Sequence, residues 1–301
     1  MGIVNTGAIA KALLPGVNKF WGMGYQELPL QLADVFDTEN STRNYEEDVQ
    51  LVGTGLFPKK SETAAVSYDS IRQGFTTRYT HVTYAMGVIF SYEMLADNQY
   101  DLGLKRVKFL GRSARSTQET IAANILNRAF NSSYTYADGV ELCSTSNVNI
   151  SGGTYQNTLT TAADLSQASI EQALIDIGNT TDDRGLKMAL KGVRLIVPTA
   201  LHFEAARILD SELESATANN ALNAIRSEAG LKFVVNNYLT DPDAWFIKTD
   251  AMDGMKRFVR EAVGAPVQEN DFDTRNIKFA TFFRESYGAT DKRGIYGSSG
   301  A

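Results

Sequence analysis

The sequence predicts an α+β chain: an N-terminal arm, an extended β-hairpin, one long helix with a sheet beside it, and an α/β subdomain. Three observations predict it. Residues 75–92, FTTRYTHVTYAMGVIFSY, alternate and are rich in β-branched and aromatic side chains, the pattern of a long strand. From Tyr100 to Phe130 apolar residues recur at helical spacing, enough for a helix of some 45 Å at about 1.5 Å per residue. Between them and the strand-rich C-terminal part, helical patterns alternate with short apolar runs, as in an α/β unit.

Composition bounds the possibilities. The 301 residues are 43% hydrophobic and 21% charged, a globular balance for one large domain or two intimate ones. A net charge of −6, with a pI near 5.1, argues against a surface that grips nucleic acid throughout, though not against a protein that encloses it. The single cysteine, Cys143, excludes an intramolecular disulfide and a Cys-rich zinc site, and reads as a small apolar filler. No apolar run approaches the ~20 residues of a membrane helix. The first residues lack an early basic region and break at Pro15-Gly16, unlike a signal peptide, so the expectation is a soluble chain made inside the cell.

Taken in order, residues 1–50 read as an irregular arm, because Pro15, Gly16, Gly22, Gly24 and Pro29 split its short apolar pieces. An acidic patch, Glu46-Glu47-Asp48, closes it. Residues 51–91 read as the hairpin, with the partner strand expected within SETAAVSYDSI and the turn near Gln73-Gly74 or Lys59-Lys60. An isolated two-stranded ribbon is marginal in water and exposes its edges, so it wants a neighbour in this chain or another.

The long helix places Val107, Leu110, Ala114, Ile121, Ile125 and Ala129 on one side, and Lys105, Lys108, Arg112 and Arg115 on roughly the opposite side. That basic stripe is either a solvated face or an electrostatic contact with an acidic segment of a partner subunit. A Ser/Thr/Asn/Gly-rich excursion fills 131–163, and DLSQASIEQALIDIGN is an amphipathic helix. In GVRLIVPTALHFEAARIL a buried strand stops at Pro198, and Thr199 is the expected N-cap of a helix through Leu209. A helical patch, NNALNAIRSE, leads to a strand at Lys232–Val235, and AWFIKT, MKRFVRE and RNIKFATFFRESYG are further strands.

Reactive constellations are hard to find. His202-Phe203-Glu204 looks like half of a zinc-deaminase signature, but the only cysteine lies upstream, and residues two apart on a helix point ~200° apart. His202 therefore reads as a helix-face residue, and His81 as structural. No nucleophile elbow or phosphate loop is present. Asp241/Asp243 and Asp271/Asp273 could hold a divalent ion, but read first as turn and cap chemistry. No catalytic, cofactor-binding or metal-binding residue is expected. A long chain with extended segments and no reactive site reads as one built to contact copies of itself.

The order of pieces resembles the major capsid proteins of tailed bacteriophages, the Hong Kong 97 fold, with the Mu-like head subunits the nearest subgroup. The resemblance rests on Ser91, Glu93, Met94, Leu95 and Asp97 at the entry to the long helix, on the strand–proline–helix passage Leu195–Pro198 into Leu201–Leu209, and on the closing turn Asp291, Arg293, Gly294. It implies an arm at 1–50, an extended loop at 51–91, a peripheral domain at 92–135 and 250–301 with the spine helix, and an axial domain at 136–249. It implies no enzyme and no cofactor, but a homo-oligomer of pentamers and hexamers in the virion, assembled in the host cytoplasm. The shell would enclose DNA without sequence-specific binding and without a membrane.

Portal and scaffolding proteins are the further partners implied, with a decoration protein left open. A hairpin starting near residue 51 leaves no room for a cleaved scaffolding segment, so the scaffold is expected to be separate. The subunit-interface candidates are Lys59, Lys60, Phe75, Tyr79 and Tyr84 on the hairpin, and Lys105, Lys108, Arg112 and Arg115 on the helix. Some relatives join subunits through a Lys–Asn bond, but no partner asparagine for Lys59 or Lys60 can be placed. An encapsulin-type compartment shell and a carboxylate-metal enzyme remain the alternatives.

Overall fold

The strand pattern that opens the hairpin divides at His81, and this division organises the molecule. In the computed structural model, which describes residues 6–63, 65–91, 93–94, 100–212, 223–226, 230–271 and 273–300 (backbone alone for 6–13 and 100), the alternating stretch up to Phe90 is two strands. These are β3 (Arg72–Thr80) and β4 (Val82–Phe90). The change of partner explains the split. Strand β3 pairs antiparallel with β2 (Tyr45–Val52), whereas β4 pairs antiparallel with β12 (Ile277–Ala289). Burial shifts phase at the break, from odd positions (Tyr79, His81) to even ones (Tyr84, Val88, Phe90).

The hairpin's partner strand thus precedes the loop, at 45–52, and is not the SETAAVSYDSI segment the sequence pattern pointed to. The described residues of 53–71, including Lys59 and Lys60, form a connection outside any strand. The acidic patch is part of β2, which is why its sequence, YEEDVQLV, gave a weak strand signal.

Strand β12 is the centre of a five-stranded sheet. One edge takes β10 (Met255–Glu261) and β11 (Val267–Asn270) at its two ends, and the other takes β4. A short β1 (Asp37–Asn40) adds parallel to β10. Ile277, Phe279, Thr281, Phe283 and Glu285 are all buried, the period-two burial expected of RNIKFATFFRESYG.

Two helices contribute to the apolar cluster on the inward face. The helix α2 (Tyr100–Asn127) spans 28 residues, or about 42 Å. Val107, Leu110, Ala114 and Ala129 are buried as the spacing predicts, but Ile121 and Ile125 are only half-buried. Ala122 and Leu126 take their place, because Gln118 and Glu119 turn inward to make hydrogen bonds.

The expected irregular arm is instead helical over Thr6–Gln26 (α1), with Pro15 inside the helix. Val17 and Trp21 pack with Phe90, Val107, Ile277 and Phe279. One of the glycines that looked like breakers, Gly24, is a point of close approach, and so is Gly111 on the facing helix. A Cβ on Gly24 would lie 2.8 Å from the carbonyl carbon of Lys108, and a Cβ on Gly111 would lie 2.9 Å from the amide nitrogen of Tyr25. The segment is ordered by lying on α2, which is the physical condition set by its having no core of its own.

A two-stranded ladder pairs β5 (Asn147–Val148) with β6 (Thr154–Tyr155), and a four-stranded sheet forms the second layer. Its strands are β7 (Gly192–Val197), β8 (Lys232–Val235), β9 (Trp245–Thr249) and β13 (Ile295–Ser298). Strand β7 runs parallel to β8 and antiparallel to β9. Leu195 and Val197 face one core, with Ile170, Ile177, Ile208 and Trp245; Ile196 faces a second, with Leu126, Leu142, Phe246 and Ile295. Two-sided burial is why Leu-Ile-Val reads as an unbroken apolar run.

Helix α3 (Gln167–Asn179) begins at a capping box formed by Ser166 and Ser169. Thr199 does not cap as expected: Thr199–Leu201 is a 3-10 turn without a side-chain cap, and α4 (His202–Asp210) follows it. Most of NNALNAIRSE, and Leu95 and Asp97 of the helix-entry motif, lie outside the described residues.

Candidate functional site

Two features of the described residues matter most: what holds the two sheets in fixed relation, and what is left outside. The fixing element is the closing turn. Asp291 accepts the Arg293 main-chain N–H at 2.9 Å and starts a 3-10 turn over Lys292–Gly294. Gly294 then passes Gly254 so closely that a Cβ on Gly254 would be 2.8 Å from its Cα. Only two glycines permit that approach.

Both cations of the turn are buried, at 4% exposure each. Arg293 donates to the Thr181 carbonyl (3.0 Å), Asn149 Oδ1 (2.8 Å), Asp183 Oδ1 (3.0 Å) and Asp291 Oδ1 (3.3 Å), and its guanidinium lies 4.0 Å over the Tyr155 ring. Lys292 Nζ donates to Asp138 (2.8 Å), Asn147 Oδ1 (3.2 Å) and the carbonyls of Val140 (2.9 Å) and Glu141 (2.7 Å). Burial pushes the Lys292 pKa down, with Asp138 opposing, and pushes the Asp291 carboxyl up, with Arg293 opposing. Saturated buried pairs of this kind fix geometry more than they add stability. Sequence reasoning used Asp291, Arg293 and Gly294 only as a resemblance and missed their partners, since a basic pair in a turn defaults to the surface.

A second polar network joins both helices to the first sheet. Tyr25 Oη donates to Gln118 (2.8 Å), Gln118 donates to Glu285 (3.2 Å), and Arg257 and Tyr287 also donate to Glu285 (2.6 and 2.9 Å). Glu119 accepts the main-chain N–H groups of Gln31 and Leu32 at 3.0 and 2.9 Å, which pins the segment after α1. Burial raises the Glu119 pKa, and those two hydrogen bonds partly oppose it.

At the base of the hairpin, His81 is buried with both ring nitrogens engaged: Nε2 with Ser41 Oγ at 2.9 Å and Nδ1 with Ser286 Oγ at 3.0 Å. This is the structural role expected of it. Below it Lys256 meets Asp48 (2.5 Å), Asp253 (2.7 Å) and Glu39 (3.4 Å), so β2 is clamped to β10. Burial lowers the Lys256 pKa, but the hydrogen bonds to Asp253 and Asp48 outweigh it and hold the group above the usual lysine value.

The interface candidates separate into three groups. Tyr79 is core, not surface: it is 2% exposed, bonds Thr290 Oγ1 at 2.8 Å and meets Phe258 edge-on at 4.8 Å. Phe75 and Tyr84 are half-buried, Tyr84 stacking on Phe283 at 5.3 Å. Half of the basic stripe serves this chain, because α1 covers that side of α2. Lys108 pairs with Glu27 at 3.2 Å, and Arg115 bonds the Tyr25 carbonyl at 3.3 Å and lies over its ring. Lys105, Arg112, Lys59 and Lys60 are exposed.

The segment bearing Lys59 and Lys60 is where apolar surface is concentrated. Phe57 and Tyr68 are 95% exposed, Leu56 84%, Ile71 69% and Val66 60%. Its limbs are drawn together by the Gly55 N–H donating to Asp69 at 2.9 Å, and Arg184 donates to the Ser70 carbonyl at 3.0 Å. Five large apolar side chains in one exposed stretch exceed the scattered singles normal for a soluble surface.

The remaining candidates resolve into local structure. The carboxylates of Asp241 and Asp271 accept the N–H of Asp243 (3.1 Å) and Asp273 (3.2 Å), and Asp271 also pairs with Lys278. No metal-competent cluster occurs among the described residues. His202 stacks between Phe203 and Phe233 at 5.0 and 5.8 Å, and Glu204 pairs with Arg207 at 2.7 Å. Among the described residues no helix is long and apolar enough to cross a membrane.

Comparison with known proteins places this architecture. A family model described as phage capsid protein matches residues 74–298. Among solved structures, the chain is similar to the capsid of a native GTA particle, at 12% identity and a TM-score of 0.56, over 91% of this chain and 92% of that one. It is similar to the procapsid of bacteriophage JBD30, at 13% identity and 0.55, over 98% and 76%. It is also similar to a virus-like particle from Pyrococcus furiosus, at 11% identity and 0.51, over 96% and 98%. Identities this low carry the fold. No curated protein matches the sequence.

Proposed function

The chain belongs to the phage capsid protein family, with the Hong Kong 97-type fold of a major capsid protein, and on that premise we propose that its copies close through pentamers and hexamers into the icosahedral head around the phage genome. The observation that carries the reading is the exposed apolar surface within 53–71, joined to a hairpin that Lys256 clamps to β10. A rigid frame gives each copy the same geometry, and an exposed apolar extension supplies burial at roughly 25 cal/mol per Å² when it lies on a neighbour. Rings of identical chains need heterologous contacts that close, and an arm reaching from one copy to the next is such a contact.

The division of labour follows. The proposed division is 51–91 for the extended loop, 92–135 with 250–301 for the peripheral domain, 136–249 for the axial domain and 1–50 for the arm, with two strands crossing it: β4 pairs with β12 in the first sheet, and β13 pairs with β9 in the second. Lys59, Lys60 and Phe75 on the loop side, Tyr84 on β4, and Lys105 and Arg112 on α2 are the interface residues. A separate scaffolding protein and a portal are the further partners, with a decoration protein left open, and assembly takes place in the host cytoplasm. The net charge of −6 suits a shell that encloses DNA without sequence-specific binding. A compartment shell with an enzyme cargo would share the fold, but membership of the phage capsid family favours the head. Electron microscopy of the chain expressed with its neighbouring genes tests the proposal. Shells are expected from the intact chain and none from a chain lacking 54–70 that still folds; shells from the deletion would refute the role of the loop.

A further inference from the structure

The cleft at the base of the hairpin contains two arginines that form no ion pair among the described residues, although Glu47 lies across the β2–β3 ladder from one of them, Arg78. It encloses about 330 Å³, between β3, the far end of α2, residues 134–137 and β12. Arg78 enters it from the hairpin and Arg128 from the turn that follows α2. The Arg78 guanidinium lies 3.8 Å over the Tyr45 ring, and that of Arg128 lies 4.4 Å over the Tyr134 ring. Among the described residues neither forms an ion pair, whereas Arg184, Arg194, Arg207, Arg257 and Arg293 each do. Stacking on an aromatic face holds a guanidinium in place while leaving its planar fork of N–H donors free for a carboxylate. Tyr136 and Ile125, both half-buried, add a wall beside the two cations.

We propose that this cleft is a carboxylate-binding site that receives Glu62 of a second copy of the chain. The inference rests on the shell reading above and names the contact that reading leaves open. Charge complementarity selects the occupant. Glu62 is exposed in the middle of the one extended segment that carries Leu56, Phe57, Val66 and Tyr68 outside. The same stretch of a neighbour thus offers an anion for the two guanidinium groups and apolar area for the wall. Because Arg78 rides on the hairpin and Arg128 on the body, a carboxylate held between them would also fix the angle of the receiving copy's own hairpin. Each docking event would then set the next loop for docking, which gives assembly a direction around the ring.

The experiment uses the full chain expressed with its neighbouring genes, as wild type, as Arg78→Glu with Arg128→Glu, as Glu62→Arg, and as all three changes together. Shell yield is read by electron microscopy, and folding by circular dichroism. Loss of shells is expected in the Arg pair and in Glu62→Arg, with recovery in the triple variant, which also shows that the altered chains fold. A second arm places Glu62→Cys and Arg128→Cys in one chain with Cys143→Ser, and looks for disulfide-linked oligomers on a denaturing gel. Shells without the cross-link, or charge-reversed chains that assemble at wild-type yield, overturn this inference and leave the shell reading intact. Loss of packaged DNA with intact shells in the Arg pair would assign the cleft to nucleic-acid phosphates and also overturn it. The absence of any oligomer from the wild type overturns both.

Discussion

A methyl group on Gly111 would overlap the main-chain carbonyl oxygen of Trp21, so α1 and α2 cross at a separation that only a hydrogen atom at position 111 allows. An alanine in a helix interior ordinarily gains about 0.5–1 kcal/mol over glycine. Here the obstacle is backbone, which cannot rotate away, and overpacking of this kind costs about 1–3 kcal/mol. Gly111→Ala is therefore expected to lower the urea midpoint. Gly22→Ala is the control. A Cβ there meets nothing within 4 Å, so this substitution is expected to raise the midpoint by a small amount. If both changes move the midpoint the same way, the crossing is not where the glycines place it.

Arg293 supports a second prediction. Its guanidinium serves four acceptors and a tyrosine face at once, at 4% exposure. Arg293→Ala leaves Asp183 and Asp291 buried without their cation, and loss of one partner of a buried pair costs about 3–5 kcal/mol. Arg293→Lys keeps the charge but not the planar fork, so it should recover only part of that loss. The midpoints of the two variants in a urea titration decide the matter: a lysine variant as stable as wild type would mean that charge alone holds the turn.

What the sequence revealed and what it hid follow from one distinction. Periodic burial was legible: β12 buries every second residue, and most of the apolar stripe of α2 matches its spacing. The strand–proline–helix passage at Pro198 was legible for the same reason. What could not be read were positions whose meaning depends on a distant neighbour. Gly24 in isolation signals a break, yet it is buried because Lys108 of another helix lies against it. Tyr79 on an alternating strand looks available to a partner, yet β10 and Thr290 already surround it. Strand β2 carries Glu46, Glu47 and Asp48, poor strand formers whose pairing is secured by Lys256 some two hundred residues away. Lys108 and Arg115 were seen as a stripe, but its second function, holding α1, is invisible without α1 being a helix.

Cys143 offers a direct test of the second core. The thiol is 2% exposed, and burial pushes its pKa far above the ordinary value despite the nearby Lys292. The reactive thiolate is then absent near neutral pH. A thiol reagent should leave the native chain unmodified and label one site per chain once denaturant opens the core. Prompt labelling of the native chain would place Cys143 outside that core.

His81 makes the hairpin base sensitive to acid. Burial depresses its pKa below the ordinary 6.5; Glu46 opposes this, and Arg284 and Arg260 reinforce it. A group with a depressed folded-state pKa gives stability that is present in full above its unfolded value and is lost as pH falls through the folded one. The neutral ring accepts at one nitrogen and donates at the other, so Ser41 and Ser286 are both satisfied. The imidazolium donates at both and must be desolvated as a cation. The melting temperature of wild type should therefore fall as the pH is taken from about 7.5 to about 5, the range in which histidine titrates. The carboxylates are common to both chains, so His81→Gln should lose less over that interval. At neutral pH the same variant should be less stable by about 1–3 kcal/mol, having left a buried hydroxyl without its partner. Parallel falls in the two chains would assign the acid sensitivity to another group and leave His81 as packing alone.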